Sequence, residues 1–416
     1  MDMDISYGES QIHVNIPGKY VILTPKKVKK KDENKIIKNA LQHPIGSNSF
    51  EEFITTSDHL LVIVNDASRP SATARILEHI YPLLAHHPDV CYLVATGSHR
   101  APTSEEYRYI FGRFYELQKS QIFTHDSRNQ QNMIYIGTSK RGTEVFINKM
   151  IIERKNILVI GSVEPHYFAG YTGGRKAFLP GVASYKTIEM NHKFALSDQA
   201  RSLNLQGNPV HEDMVDISTM LKGCRVFSLQ TILTEEQEIY AMTAGNLYQS
   251  FEAAVPYANE VFCVPLAQKG NIVITVAPYP MDIDLYQSQK ALDNAKLAVE
   301  DGGIIILVSK CRKGVGDDAF LKLLCKAQTP HELLDLLKEE YKLGYHKAAK
   351  IAQIAARVRI LAVTDLEDDI IKKAMFTPYH SIQSAIDDAV KMIAEKGWKP
   401  HIIIMPAGSL TIPFVK

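Results

Sequence analysis

The chain lacks most of the features that would send a protein out of the cell or onto a membrane. Its five cysteines (Cys91, Cys224, Cys263, Cys311 and Cys325) are scattered, odd in number and form no C-x-x-C pair. That pattern excludes a disulfide framework and predicts a reduced, cytoplasmic protein. No stretch reaches the roughly 18 to 20 apolar residues of a membrane span. The first residues, MDMDISYGESQIHVNIPG, are acidic and have no apolar core of signal-peptide length, so no secretory leader is expected. An excess of one charge is also missing. Forty-seven Lys and Arg face 46 Asp and Glu, for a net charge of +1, which gives no general attraction to nucleic acid or an anionic membrane. The one basic run, PKKVKKKDENK (25–35), stands alone and reads as a solvated loop or helix face. There is no low-complexity tract, no short-period repeat and only one tryptophan, Trp398.

What is present is the composition of a soluble globular protein, 45% hydrophobic and 22% charged. At 416 residues the chain is too long for one ordinary core. Short Val/Ile-rich runs alternate with longer helical patterns, which predicts an α/β protein. The expected plan is two domains, each with a largely parallel sheet flanked by helices, and an active site in the interdomain cleft. HLLVIVN (59–65), DVCYLVAT (89–96) and NILVIGSV (156–163) read as buried strands, as do NIVITVA (271–277), GGIIILVSK (302–310), RVRILAVT (357–364) and HIIIMPAG (401–408).

Helices are expected over 69–84, with Pro70 in the first turn, after the capping-box sequence TSEE (103–106), and over 286–300 and 381–396. QIHVNIPGKYVILTP (11–25) looks like a hairpin. The boundary is expected near 258–270, dividing a catalytic and cofactor-binding domain (1–262) from a second α/β domain (268–404). The tail, 405–416, has room to return to the first.

Each of the first three strands runs into a polar cluster at its C-terminal end: NDASRP, then TGSHR, then EPHYFAGYTGGRK. Parallel sheets bind ligands at the carboxyl ends of their strands. Asp66, Arg69, His99, His166 and Lys176 are therefore expected to converge. Neutral imidazoles at His99 and His166 suit an acid and a base on opposite faces of a substrate, although most of the 15 histidines will be structural. His192, in IEMNHKF, is expected early in a helix.

GYTGGRK has neither Walker A spacing nor the G-x-G-x-x-G of a dinucleotide site. It could be only a turn with positive φ at Gly173 and Gly174. A turn does not call for Arg175 and Lys176, however, and a lysine there can bind phosphate or act as a nucleophile that holds a cofactor. Arg69 suits carboxylate or phosphate capture, or else a surface pair with Asp66 of little worth. Gln287 and Lys290, in YQSQK (286–290), share a helix face.

Together these clusters resemble the nickel-pincer lactate racemase family of 2-hydroxyacid racemases and epimerases. The match is carried by H-Y-F-A-G-Y-x-G-G-R-K-x-x-x-P-G from His166 to Gly181. D-x-x-R-P at Asp66–Pro70, G-x-H-R at Gly97–Arg100, N-H at Asn191–His192 and Y-Q-x-x-K at Tyr286–Lys290 support it. The resemblance implies a nickel-pincer nucleotide, Ni(II)-pyridinium-3,5-bisthiocarboxylic acid mononucleotide, supplied by cofactor-biosynthesis enzymes. Lys176 would be its covalent anchor and His192 the nickel ligand. His99 and His166 would be the acid/base pair. Asp66, Ala67, Ser68, Arg69, Thr172, Gly173 and Gly174 would line the cofactor, and Arg69, Tyr286, Gln287 and Lys290 would bind the substrate. The resemblance also implies hydride abstraction and return at C2 through a 2-ketoacid. From domain order alone, a cleft is expected that opens and closes and brings in Gln287 and Lys290 from the second domain.

The chain departs from lactate-specific members, whose second domain carries a pocket tryptophan. Here the comparable stretch is LGYHKAAKIA (343–352), where Tyr345 and His346 stand as candidate contacts to a larger or more polar substrate. Two other readings compete. A zinc hydrolase could use His99, His166 and His192, but no H-E-x-x-H pair accompanies them. A non-catalytic cofactor or sugar-acid binding protein would need Lys176 and His192 but not two acid/base histidines.

Overall fold

The computed structural model describes residues 2–316 and 318–415. The chain divides into two compact units, one spanning Lys27–Val261 and the other combining residues up to Lys26 with those from Phe262 onward. Both are α/β. The larger unit has a six-stranded sheet in the order Ile239–Gly245, Arg225–Leu233, Asn156–Ser162, Leu60–Asn65, Val90–Ala95, Ile122–Thr124. All its pairings are parallel except that between the first two strands.

The central Leu60–Asn65 strand shows why such runs carry no polar alternation. Leu60, Val62 and Val64 pack into the core on one face of the sheet, while Leu61 and Ile63 pack into a separate core on the other. With helices covering both faces, each such side chain contributes roughly 1.5–3 kcal/mol of burial. Thr103 and Glu106 form the expected capping box at the start of Ser104–Phe111.

The second unit's six-stranded sheet runs Thr377–Tyr379, Arg359–Val363, Val299–Val308, Gly270–Val276, His401–Met405, Lys19–Ile22, all parallel. Helices Leu285–Ala295 and Ile382–Glu395 occupy the expected stretches, although the first stops at Ala295 and the chain re-enters a strand at Val299. Asp284 caps the former by accepting from the Gln287 backbone N–H at 2.7 Å.

Several expectations are corrected. The proposed hairpin over 11–25 does not form. Ser10–Asn15 pairs instead with Asp2–Tyr7, and Lys19–Ile22 joins the second unit's sheet beside His401–Met405. The N-terminal segment therefore belongs to the second unit, against the expected domain 1–262. The tail also stays there, with Ile412–Val415 pairing in parallel with Cys263–Leu266. Pro70 precedes the helix, which begins at Thr73. The basic run is loop up to Asp32, which caps the helix Glu33–Gln42. Among the described residues, no helix is long and apolar enough to cross a membrane.

Candidate active site

The larger unit gathers its polar clusters at the carboxyl ends of three adjacent parallel strands, Asn156–Ser162, Leu60–Asn65 and Val90–Ala95. Asp66, Arg69, His99, Thr172, Gly173, Gly174 and Lys176 line one cavity there. The loops that carry them are stitched together by the backbone. Gly97 N–H donates to Gly181 O (2.9 Å), Gly181 N–H donates to Lys176 O (3.0 Å), and Thr172 Oγ1 donates to Ser162 O (2.9 Å).

Gly173 and Gly174 have φ of 82° and 52°. A Cβ on Gly173 would stand 2.6 Å from both Gln230 Oε1 and Val163 Cγ2, so the tight approach requires glycine as much as the dihedral does. Gln230 Oε1 also accepts from the Gly174 N–H at 3.0 Å. This fold-back starts the short 3₁₀ turn Gly174–Ala177 that presents Lys176.

Arg175 is 1% exposed, and its guanidinium donates to the carbonyls of Ala169, Tyr171, Thr172 and Gly173 at 2.8–3.3 Å. It also lies 4.4 Å from the centroid of the Phe251 ring. Desolvation lowers its pKa to about 9. Arg175 thus holds four carbonyls of the loop in one fan and adds positive charge behind Lys176. Burial, first, and then the charges of Arg69 and Arg175 push the Lys176 ammonium well below its usual pKa, with Glu164 opposing. Both effects favour the amine over the ammonium, the form a nucleophile needs.

The Arg175→Met variant is expected to lose about 3–5 kcal/mol of stability, because the carbonyls lose a charged donor inside the protein. Urea denaturation measures this, and a loss below about 1 kcal/mol would contradict the assigned role.

The two histidines differ in kind. His99 sits in a turn after the second strand, and its side chain is about half exposed, at 48%. Its Nδ1 lies 2.7 Å from Asp66 Oδ2 and 3.1 Å from Ser68 Oγ, which itself donates to Asp66 Oδ1 at 2.6 Å. Burial raises the Asp66 pKa, but the hydrogen bonds from His99 and Ser68 and the charges of His99 and Arg69 together bring it below the usual carboxylate value. An ionised Asp66 fixes the His99 proton on Nδ1 and leaves Nε2 as the basic nitrogen.

His166 is 7% exposed, on the short strand Pro165–His166, and its Nδ1 accepts from the Ala169 N–H at 3.2 Å. A ring that accepts at Nδ1 carries its proton on Nε2. Burial, and then the charges of Lys176, Arg69, His192 and Arg175, hold its pKa well below the ordinary value. These contacts leave Nε2 of His99 as an acceptor and Nε2 of His166 as a donor.

Phe168 ties the remaining groups together. Its ring centroid lies 4.5 Å from that of His166, 5.0 Å from that of His192 and 5.6 Å from Lys176 Nζ. His192 lies in the last turn of Tyr185–Lys193, not early in a helix as expected. The Ser184 side chain caps that helix eight residues upstream. Arg69 does not pair with Asp66 through its side chain; its guanidinium stands 4.0 Å from Glu164 Oε1. Of the cofactor-lining candidates, Ala67 instead packs against the core.

Tyr286, Gln287 and Lys290 lie on Leu285–Ala295 of the second unit. The Tyr286 ring there meets Lys347 Nζ (3.3 Å to the centroid) and the edge of Phe320 (5.4 Å). In the same unit Tyr345 precedes the helix His346–Arg357, and the Tyr341 hydroxyl bonds His346 Nδ1 at 3.0 Å. Phe168, Glu164, Gln230 and the anchoring role of Arg175 escaped the sequence reading. Only the burial of a basic residue inside a glycine-rich turn hinted at the last.

Two histidines with different hydrogen-bond partners, beside a lysine at the carboxyl ends of a parallel sheet, make the site of an α/β enzyme. Comparison with known proteins takes the identification further. Residues 7–203 match the family model of the lactate racemase N-terminal domain, and residues 266–412 match that of the C-terminal domain. The chain is 30% identical over 413 residues to the lactate racemase of Thermoanaerobacterium thermosaccharolyticum, covering 94% of this chain and 95% of the relative. It is 31% identical over 406 residues to that of Lactiplantibacillus plantarum, covering 95% and 94%. The structure matches the lactate racemase apoprotein from T. thermosaccharolyticum with a TM-score of 0.86 and 28% identity over the whole of both chains. A Thermotoga maritima protein of 17% identity (TM-score 0.63, covering 94% of this chain and all of that one) shares the fold. The chain belongs to the lactate racemase family and is an isomerase of the racemase type.

Proposed function

We propose that this protein racemises or epimerises a 2-hydroxyacid, with Lys176 tethering a nickel-pincer nucleotide and His192 completing the nickel's ligand set. The observation that carries this reading is the presence of two histidines at Lys176, His99 lining the same cavity and His166 close enough to feel its charge. A carrier has no use for an acid/base pair.

The donor set fits the cofactor. Among the described residues, no group of three or more His, Cys, Asp or Glu could hold a metal ion. A zinc hydrolase needs three or four protein ligands, whereas a metal arriving with its own sulfur and carbon donors needs one imidazole. His192 can supply that imidazole, and Lys176 supplies an amine for the covalent link, its protonation opposed by burial.

When bound, the group supplies a hydride acceptor, so that no carbanion forms beside a carboxylate. The protein's own residues handle the proton and the position. His99 Nε2 takes the hydroxyl proton, and the Asp66 carboxylate stabilises the resulting imidazolium through Nδ1–H. His166 offers Nε2–H to the oxygen on the opposite face. After the 2-ketoacid turns over, His166 gives its Nε2 proton to the oxygen of the other stereoisomer and returns to the neutral ring. For this it must first take a proton from solvent on Nδ1, giving up its bond from the Ala169 N–H, while His99 releases the proton it took to solvent. Arg69, Tyr286, Gln287 and Lys290 are assigned to the substrate carboxylate as matches to the family motifs, with Arg69 suited by its planar donor fork. Lactate is the substrate named for the relatives, while the different 343–352 stretch points to another 2-hydroxyacid here.

Protein made in a host that also makes the cofactor should interconvert the stereoisomers of at least one 2-hydroxyacid in a panel running from lactate to sugar acids, read by chiral chromatography. No interconversion of any member by fully loaded protein would overturn the proposal.

A further inference from the structure

We propose that Asp213 and Asn191 are positioning residues for His192. Asp213 locks the Asn191 amide in one orientation, and that amide holds the imidazole with its proton on Nδ1 and its lone pair on Nε2.

Asp213 is fully buried in the helix Pro209–Thr219, whose cap, Asn208, also donates to Phe168 O at 2.9 Å. Its carboxylate accepts three hydrogen bonds, two from one turn of the larger unit and one from the helix Tyr185–Lys193. Ser139 Oγ donates to Oδ1 at 2.5 Å, and Thr143 Oγ1 donates to Oδ2 at 2.9 Å, both from the turn before the strand Glu144–Asn148. Asn191 Nδ2 donates to Oδ2 at 2.8 Å and also to Val210 O at 3.2 Å.

The Asn191 side chain is itself fully buried. Rotating its amide by half a turn would aim its oxygen at a carboxylate and a carbonyl, three acceptors with no proton between them, and such a buried clash is costly. Asn191 Oδ1 is therefore fixed toward His192 Nδ1, 3.2 Å away. An amide oxygen can only accept, so the proton belongs on Nδ1 and the lone pair on Nε2. This is the arrangement a metal-binding imidazole needs, with a carboxylate placed one residue further back to raise its basicity.

The proposal deepens the nickel reading and rests on His192 being the ligand, but the tautomer can be read without any metal. The full chain, labelled with [15N]histidine and free of cofactor, is examined by two-bond 1H–15N correlation at about pH 8, where imidazoles are neutral. His192 is the signal missing from His192→Gln. Wild type is expected to show the Nδ1–H form. Asn191→Leu, which removes the acceptor, is expected to shift His192 mainly to the Nε2–H form. The exchanged pair Asn191→Asp with Asp213→Asn reverses the donor between the two positions and gives up the bond to Val210 O, but it keeps an acceptor facing His192 Nδ1 and is expected to restore Nδ1–H.

In the loaded protein, Asn191→Leu should speed nickel loss to a chelator by about 10–100-fold. An Nε2–H form in wild type, an unchanged tautomer in Asn191→Leu, or no restoration in a folded exchange variant would each overturn the proposal. If Asn191→Leu does not fold, wild type and the exchanged pair decide. If the tautomers behave as expected while loaded His192→Gln keeps its nickel, the positioning stands and only the metal-ligand reading fails.

Discussion

The Lys176→Ala variant, made in a host that produces the cofactor, is expected to have the unmodified mass of its chain, to hold no stoichiometric nickel and to show no detectable turnover. Wild type from the same host should carry a covalent mass increment and nickel. The expected effect is total because the amine is the proposed bond-forming group, and among the described residues no other lysine lines that cavity. Its chemistry follows from where it sits. The glycine turn partly buries Lys176, desolvation and then the charges of Arg69 and Arg175 oppose its protonation, and an unprotonated amine is what attacks an acyl carbon. Lys176→Arg would keep a cation at the site but not the nucleophile, and it should fail in the same way. Intact-protein mass spectrometry with metal analysis reads all three proteins. A mass increment surviving in Lys176→Ala, or an unmodified wild type holding stoichiometric zinc, would contradict the assignment. Protein from a host without the cofactor pathway is expected as the bare chain.

His99→Ala and His166→Ala should each lose about 10²–10⁴-fold in turnover while keeping the mass increment, since general acid–base groups contribute on that scale. Asp66→Asn tests the tautomer argument for His99. An amide facing Nδ1 can donate to it and force the proton onto Nε2, which removes the base without removing the ring. A loss of about 10²-fold or more is expected. Substrate affinity should change far less than turnover in all three variants. Loss of the cofactor from both histidine variants would show that these rings hold the cofactor and do not carry protons.

The strand-end convergence was legible because it depends on local signals. A run such as LLVIVN, short and rich in β-branched residues, reads as a doubly covered strand, and a polar cluster following it then emerges at the strand's carboxyl end. The N-terminal pairing was not legible. Lys19–Ile22 takes as its partner His401–Met405, at the far end of the chain, and nothing in either run names the other. The late position of His192 could have been read from Ser184, whose side chain accepts from the Thr187 N–H at the helix start. The roles of Arg175 and Phe168 depend on three-dimensional fans of carbonyls and rings that spacing does not encode. Asn191 stood in the motif beside His192, but its purpose appears only with Asp213, 22 residues on.

The central claim is that C2 is inverted through hydride and not through a proton lost to solvent. The direct measurement uses loaded protein and a C2-deuterated 2-hydroxyacid that it converts, followed by mass spectrometry of the separated stereoisomers. The account expects a primary isotope effect on turnover and product that keeps its deuterium in ordinary water. Rapid replacement of that deuterium by solvent hydrogen would mean that two bases remove and return a proton, and would contradict it.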